Sequence, residues 1–439
     1  MAKLISADLT NNKLCILEYT TNDGEILSFG DDAFDANIVS HTYTDKGVVI
    51  FDKPITYIKR KAFSWCENLI SITIPNSVTK IGIGVFYWCK NLTSISIPDS
   101  ITEIGNHAFF GCESLTSIDI PEGVTKVDVF AFNCCKCLKE FRGKIASDDG
   151  RCLIIDGVLH SFASAGLTEY TIPSCVTAIG MRAFSGCESI TSIKIPESVT
   201  SIGRGTFSNC PNLANITIPN SVNEIGEYGF FECKSFTSIT IPESVTKIGE
   251  AVFFGCKSLT DITIPDSVTS IGYHAFSWCK SLTDITIPDS VTSIGHHAFS
   301  GCKDLASISL SNSVTLIGDA AFNGCSNLKT IIIPNSVTEI GEYAFSRCES
   351  LISIIISDNV NTIGKWAFRN CGNLTNVTIG NSLIEIGECA FRGCNIDTIV
   401  CYPTVPPKIN NSFDNFENLI VPTGCEEAYA NSDWGKYLE

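Results

Sequence analysis

The sequence predicts a mainly β solenoid of stacked 23-residue repeats, with parallel sheets joined by short helical or 3-10 turns and a cap at each end. Three observations carry this. Phenylalanine recurs at that step at Phe63, Phe86, Phe109 and Phe132, and again from Phe184 through Phe207, Phe230, Phe253, Phe276, Phe299, Phe322, Phe345 and Phe368 to Phe391. A cysteine follows each of these three residues later, from Cys66 to Cys394. Between them runs an alternation of apolar and polar residues that usually closes on Ile-Pro. A fixed period of this length marks a solenoid, in which each repeat buries its apolar face only against its neighbours.

Residues 267–289 are one repeat, and the stretch from Leu282 in it to Cys302 in the next explains each element in turn. Leu282 to Ile287 alternates near its end, the period of a half-buried strand. Ile285 and Ile287 point inward, and Asp284 and Thr286 outward. Pro288 has no N–H for the next ladder bond and stops the strand. Asp289 and Ser290 make a turn. Val291 to Ile294 is short and β-branched, so it reads as a second strand. Gly295 permits a turn that other residues find strained. His296 to Cys302 is too short for a long helix and reads as one tight helical or 3-10 turn. That turn drops Phe299 and Cys302 into the core, as the preceding one drops Phe276 and Cys279. These four residues stand for the structural ladder.

Composition narrows the partners. The 439 residues carry 30 Lys and Arg against 47 Asp and Glu, a net charge of −17. An acidic surface repels phosphate backbones and anionic membranes, so no nucleic-acid partner is expected. No run approaches the roughly 20 apolar residues of a membrane helix, so no membrane insertion is expected either. The start, Met1 to Asp8, lacks the apolar h-region of a signal peptide.

The 22 cysteines admit two readings. An even count in a secreted chain suggests disulfides. The 14 in-register cysteines, however, recur once per repeat among the buried positions, where a free thiol acts as a small hydrophobe with a weak donor. A reduced thiol ladder is the expectation. Cys134, Cys135 and Cys137 form the dense cluster, but no second pair faces them, so neither a metal nor any other cofactor is expected.

The repeat breaks once internally. Phe132 and Phe184 lie two periods plus six residues apart. Asp156-Gly157 between Leu153-Ile-Ile and Val158-Leu is a hairpin-turn signal. A degenerate repeat with a protruding hairpin is expected at about 142–170. Asp148-Asp149-Gly150 lacks the alternating ligands of a calcium loop and reads as a turn. Residues 1–57 lose the period and form a β-hairpin-like N-terminal cap, with a hairpin expected around Asn22-Asp23-Gly24. Residues 401–439 form the C-terminal cap. There Leu419 to Pro422 is the last strand, Gly424 to Ala430 a short helix, and Trp434 packs against it.

The unit Ala-Phe-x-x-Cys-x-x-Leu-x-x-Ile-x-Ile-Pro-x-Ser-Val-Thr-x-Ile-Gly, repeated over residues 58–400, resembles the BspA-type (Treponema pallidum-type) leucine-rich repeat. Leu282, Ile285 and Ile287 align with its general leucine-rich core, and Ser290 takes the place of the usual Asn or Cys. The resemblance implies a bacterial, non-enzymatic binding protein of the cell surface or of secretion, with adhesion to a host or matrix protein as the expected activity. The alternative is an intracellular scaffold or effector that mediates protein–protein contact. Surface members usually begin with an export signal or lipobox, and neither is visible here. The family has no shared catalytic motif, so no catalytic residue carries over.

Candidate contact residues lie at the variable positions. The outward strand positions, such as Ser94/Ser96, Asp284/Thr286 and Ser307/Ser309, are mostly small hydroxyl residues, which either contact an extended partner or serve as plain β-surface. Thr330/Ile332 and Ser353/Ile355 make one more apolar stretch. Trp65 and Trp88 share a slot on adjacent repeats beside Tyr87 and Phe110. Trp278 repeats the slot near Tyr273. Exposed aromatics are typical contact anchors, while packing over the turn to shield the ladder is the alternative. His274 and His297 also share a slot, beside His296, without a carboxylate or thiol to complete a metal site. No nucleophile–base pair or phosphate loop stands out, so an enzyme is not expected. A protein partner is expected, with the chain itself a monomer.

Overall fold

The structure is a computed structural model that describes residues 15–30 and 32–438. The first 14 residues of the N-terminal cap lie outside the described residues. The chain forms two compact units, Met1–Thr168 with Cys175–Ser189, and Glu169–Ser174 with Ile190–Glu439. Both are parallel β-solenoids of the leucine-rich repeat kind.

In the first unit, Cys15–Thr21 is the middle of a five-stranded sheet. It pairs antiparallel with Gly47–Phe51, setting Leu17 opposite Val49, and with the first repeat strand Leu69–Thr73, setting Tyr19 opposite Ile72. Both edges of this strand are thus taken by long partners. The hairpin expected around Asn22-Asp23-Gly24 is therefore not formed. Asp23 instead accepts the Glu25 N–H at 3.0 Å, a local side-chain turn. The cap hairpin is Ile38–Tyr43 with Gly47–Phe51. Alternation still decides the faces: Cys15, Leu17 and Tyr19 are buried while Ile16 is exposed.

Repeats follow the 23-residue register strand by strand. Ser71, Ile72 and Thr73 pair in parallel with Ser94, Ile95 and Ser96. A second column of two-residue strands pairs Tyr57–Ile58, Lys80–Ile81, Glu103–Ile104 and Lys126–Val127. At the break, Asp156 (φ 50°) and Gly157 (φ 77°) turn Cys152–Ile155 into Val158–Phe162. This hairpin does not protrude. Val158 and Leu159 pair in parallel with Ala178 and Ile179, and Leu153 and Leu159 are fully buried. Burying those two leucines is what draws the hairpin into the short-strand column.

The second unit contains an eight-stranded column of short strands from Lys247–Ile248 to Lys408–Ile409. Its longer strands include Asp284–Thr286, Ser307–Ser309, Ser353–Ile356 and Phe416–Ile420. The phenylalanines stack along the core. Phe276 and Phe299 lie 5.2 Å apart and 5° from parallel, and Phe299 and Phe322 lie 5.4 Å apart. Phe276, Cys279, Phe299 and Cys302 are all fully buried. The stack runs one rung further than the 23-residue rule, because Phe413 stacks on Phe391 at 5.0 Å after a step of 22. Glu426–Ala430 is a short helix. Trp434 is buried beside Tyr429 and donates its indole N–H to the Pro407 carbonyl at 2.8 Å.

The segment after each glycine is a chain of single 3-10-type turns. In residues 295–302, Ala298, Ser300 and Cys302 donate to carbonyls three residues back. His297, Phe299 and Gly301 instead donate to Asp319, Ala321 and Asn323 of the next rung. Left-handed backbone at His297 (φ 56°) and Gly301 (φ 75°) makes this alternation possible. A continuous helix would keep every N–H inside the segment; interrupting it sends every second one to the neighbour. No helix among the described residues is long and apolar enough to cross a membrane.

Candidate functional site

The turns carry an aromatic surface in the first unit. Trp65 and Trp88 stack at 5.7 Å and 11°, and Tyr87 and Phe110 stack at 5.2 Å and 16°. The two pairs meet edge to face, with Trp65 5.8 Å from Tyr87 and Trp88 5.9 Å from Phe110. Trp65 is 57% exposed, and the other three are half-buried. The structure thus brings four of the six sequence candidates into one cluster.

Local backbone explains how the indoles are held. Trp65 (φ 63°) and Trp88 (φ 57°) occupy the left-handed position that later rungs fill with glycine, as at Gly111, Gly186 and Gly301, or with Cys134, Asn209, Glu232, Trp278, Arg347 and Asn370. A bulky residue is a true outlier there. Each indole lies across the equivalent position of the following rung. A Cβ at Gly111 would stand 2.8 Å from the Trp88 ring, so glycine at 111 leaves the room that Trp88 uses.

Sequence reasoning missed the extension of this cluster. His107 stacks on Phe130 at 4.6 Å, and the Arg182 guanidinium lies 5.1 Å from the Phe130 ring centre. His107 also touches Tyr87 and Phe110. The signal was available, since His107, Phe130 and Arg182 share one slot, two residues before Phe109, Phe132 and Phe184. Lys90 lies 5.6 Å from the Trp88 ring centre and pairs with Glu67 at 2.9 Å.

The remaining two candidates belong to the second unit and are not in ring contact with each other. Trp278 (φ 63°, 44% exposed) lies over Gly301, with Lys280 5.5 Å from its ring centre. Tyr273 joins the histidines instead, 4.1 Å from His274 and 5.7 Å from His297. His274 and His297 stack at 4.7 Å. Burial lowers the pKa of both, with His297 as a further cause for His274 and His296 as a further cause for His297. Ser277 donates to the His297 carbonyl at 2.6 Å and therefore accepts from His274 Nδ1 at 2.8 Å. Among the described residues, no group of three or more His, Cys, Asp or Glu is placed to hold a metal ion.

Other features are chemically quiet. The in-register thiols are bound inside the stack, as where Cys89 Sγ donates to the Phe63 carbonyl at 3.0 Å. Burial pushes the Cys134 thiol up, away from the thiolate a nucleophile needs. The cavity beside it, between Phe132, Cys134, Ser161 and Cys187, is about 30 Å³, too small for a ligand. The outward apolar stretch is real: Ile332 is 82% and Ile355 64% exposed.

The family model for the BspA-type leucine-rich repeat region, in six copies, matches residues 28–146, 159–283 and 269–397. Among solved structures, a leucine-rich repeat protein from Bacteroides ovatus is 28% identical, with 90% of this chain and 95% of that chain covered and a TM-score of 0.49. A leucine-rich cell surface protein from Faecalibacterium prausnitzii is 27% identical over 81% of this chain and 95% of its own, with a TM-score of 0.46. The leucine-rich repeat protein of T. pallidum is 30% identical over 42% of this chain and 86% of its own, with a TM-score of 0.37. No curated protein matches.

Proposed function

The chain belongs to the BspA-type leucine-rich repeat family, and on that premise we propose that it is a non-enzymatic, adhesion-type protein that binds a protein partner through the aromatic turns of its first unit. The observation that carries this is the pair Trp65 and Trp88, held stacked and in left-handed backbone. Left-handed geometry costs a residue with a Cβ about 1–2 kcal/mol. The same slot accepts glycine elsewhere, so packing alone does not require tryptophan. The fold imposes this backbone on every rung, so the choice of a large exposed aromatic for the slot, rather than the strain itself, supports use of that aromatic. Tryptophan and tyrosine are the residues that most often anchor protein interfaces, because each buries a large area at small entropic cost.

The recognition surface is Trp65, Tyr87, Trp88 and Phe110, with Lys90 and Arg182 at its margin. The thiols favour a second setting for the same surface. All 22 cysteines are free, as in proteins kept in a reducing compartment, which suits an intracellular scaffold. Affinity capture tests the reading, with matrix proteins and proteins of the producing cell as separate bait pools. The Trp65→Ala/Trp88→Ala double variant should lose a partner that the wild type retains. Equal recovery by both proteins would reject the surface, and fractionation of the producing cell separates the two settings.

A further inference from the structure

Three of the eight arginines, Arg347, Arg369 and Arg392, sit on consecutive turns of the second unit. Arg347 donates its backbone N–H to the Arg369 carbonyl at 2.7 Å, and Asn370 donates to the Arg392 carbonyl at 2.7 Å. Arg369 and Arg392 both directly follow a ladder phenylalanine, so they occupy one column a rung apart, about 4.8 Å. Arg347 and Arg392 are exposed and Arg369 is half-buried.

Arg60, like these three, has no carboxylate at ion-pair distance among the described residues, but it stands alone, and other arginines are held. Arg142 pairs with Glu140 at 2.8 Å and Arg204 with Glu227 at 3.1 Å. Arg151 is held by the Ala163 and Ala165 carbonyls. Arg347, Arg369 and Arg392 have no carboxylate at ion-pair distance among the described residues. The nearby acids are engaged or stand apart: Glu388 lies 3.8 Å from Lys365, Asp414 accepts the Gly393 N–H at 2.8 Å, and Glu342 and Glu349 flank the first turn. In a chain of net charge −17, three guanidinium groups on neighbouring rungs without a carboxylate partner among the described residues can take carboxylates from outside the chain.

We propose that this column of arginines is a docking site for an acidic peptide segment, with carboxylates received by Arg347, Arg369 and Arg392. Guanidinium groups grip carboxylates through paired, charge-assisted hydrogen bonds. An extended chain places alternate side chains about 7 Å apart, a step that flexible arginines one rung apart span. The adjoining aromatics add apolar contact for a peptide: Tyr343 and Trp366 stack on each other at 4.8 Å and 21°, and peptide side chains pack against the edges of such a pair. This site is independent of the aromatic surface of the first unit.

The test is fluorescence anisotropy of a labelled hexaglutamate peptide with the full chain, at low and at physiological salt. Wild type should bind, and more weakly as salt rises. Arg369→Glu/Arg392→Glu should weaken binding by about tenfold or more, the value of one lost charged hydrogen bond. Lys303→Glu/Lys329→Glu makes the same charge change at exposed positions elsewhere in the unit and should stay within about twofold. Trp65→Ala/Trp88→Ala should bind the peptide like wild type, which separates this site from the proposed partner surface. Unfolding temperatures of the variants, expected to match wild type, exclude a folding defect. Three results would overturn the proposal: no binding by wild type at low salt, equal weakening by the two charge-reversal pairs, or binding of heparin without binding of hexaglutamate.

Discussion

The Cys302 thiol donates to the carbonyl of Phe276, one rung earlier, at 3.1 Å. The bond recurs along the second unit, from Cys279 to Phe253, from Cys325 to Phe299 and from Cys371 to Phe345. Each cysteine therefore adds a second bond to a buried carbonyl that already accepts one backbone N–H, as Phe276 accepts that of Cys279 at 3.2 Å. Cys302→Ala should cost about 1 kcal/mol for that bond, against about 3–5 kcal/mol for Phe299→Ala, which empties the stack. Chemical denaturation of the two variants checks the order. A Phe299→Ala protein as stable as wild type would contradict the ladder.

Thiol reactivity should divide the cysteines sharply. Burial pushes Cys66 up to about 11 and Cys302 up to about 12, while Cys137 and Cys175 are exposed. Thiolates, not thiols, react with alkylating reagents. Iodoacetamide on the native protein should label Cys137 and Cys175 first, and the ladder only after unfolding. Mass spectrometry of timed samples reads this directly. Ladder labelling at the rate of Cys137 would refute it.

Gly301 and Trp278 should behave as a coupled pair. A Cβ at Gly301 would stand 3.0 Å from the Trp278 ring, and Gly301 has φ 75°. Gly301→Ala should cost about 1–2 kcal/mol in backbone strain alone, plus displacement of the indole. In the background Trp278→Ala the cost should fall to the backbone share, so a double-mutant cycle should give a clear interaction energy. Additive effects would place the indole elsewhere.

Stability should fall as pH drops below about 6.5, the ordinary histidine value. Burial lowers the pKa of His41, His107, His160, His274 and His297. In that range the unfolded chain binds protons that the folded chain does not, and the slope follows the difference. Above about pH 7 both states are neutral at these sites and the effect vanishes. Glu103, lowered by its bonds to Lys126 and Lys80, adds its own loss nearer pH 4. Melting curves from pH 8 to pH 5 check the sign, and His274→Gln/His297→Gln should flatten the decline. A melting temperature that rises toward pH 5 would contradict the histidine burial.

The sequence by itself determined the repeat, its inward residues and the thiol ladder. Neighbours in a solenoid are equivalent residues one period apart, so a single regular spacing specifies strands, register and core at once. Phe413 escaped because the last step is 22 residues. Where the period fails, local signals were not enough. Asn22-Asp23-Gly24 looks like a hairpin, but the strand before it is claimed on both edges by Gly47–Phe51 and Leu69–Thr73. Asp156-Gly157 does turn the chain, yet only the burial of Leu153 and Leu159 folds that hairpin into the stack.

The candidate surfaces divide in the same way. Sequence placed Trp65 and Trp88 in one slot on adjacent repeats. Only the tertiary structure decided that this slot is left-handed, that the indoles stack, and that Tyr273 joins His274 and His297 rather than Trp278. It also decided that Arg347, Arg369 and Arg392 have no carboxylate at ion-pair distance among the described residues. Backbone handedness and ion pairing depend on what the neighbouring rung supplies, and a spacing pattern records which positions meet without recording how their side chains settle.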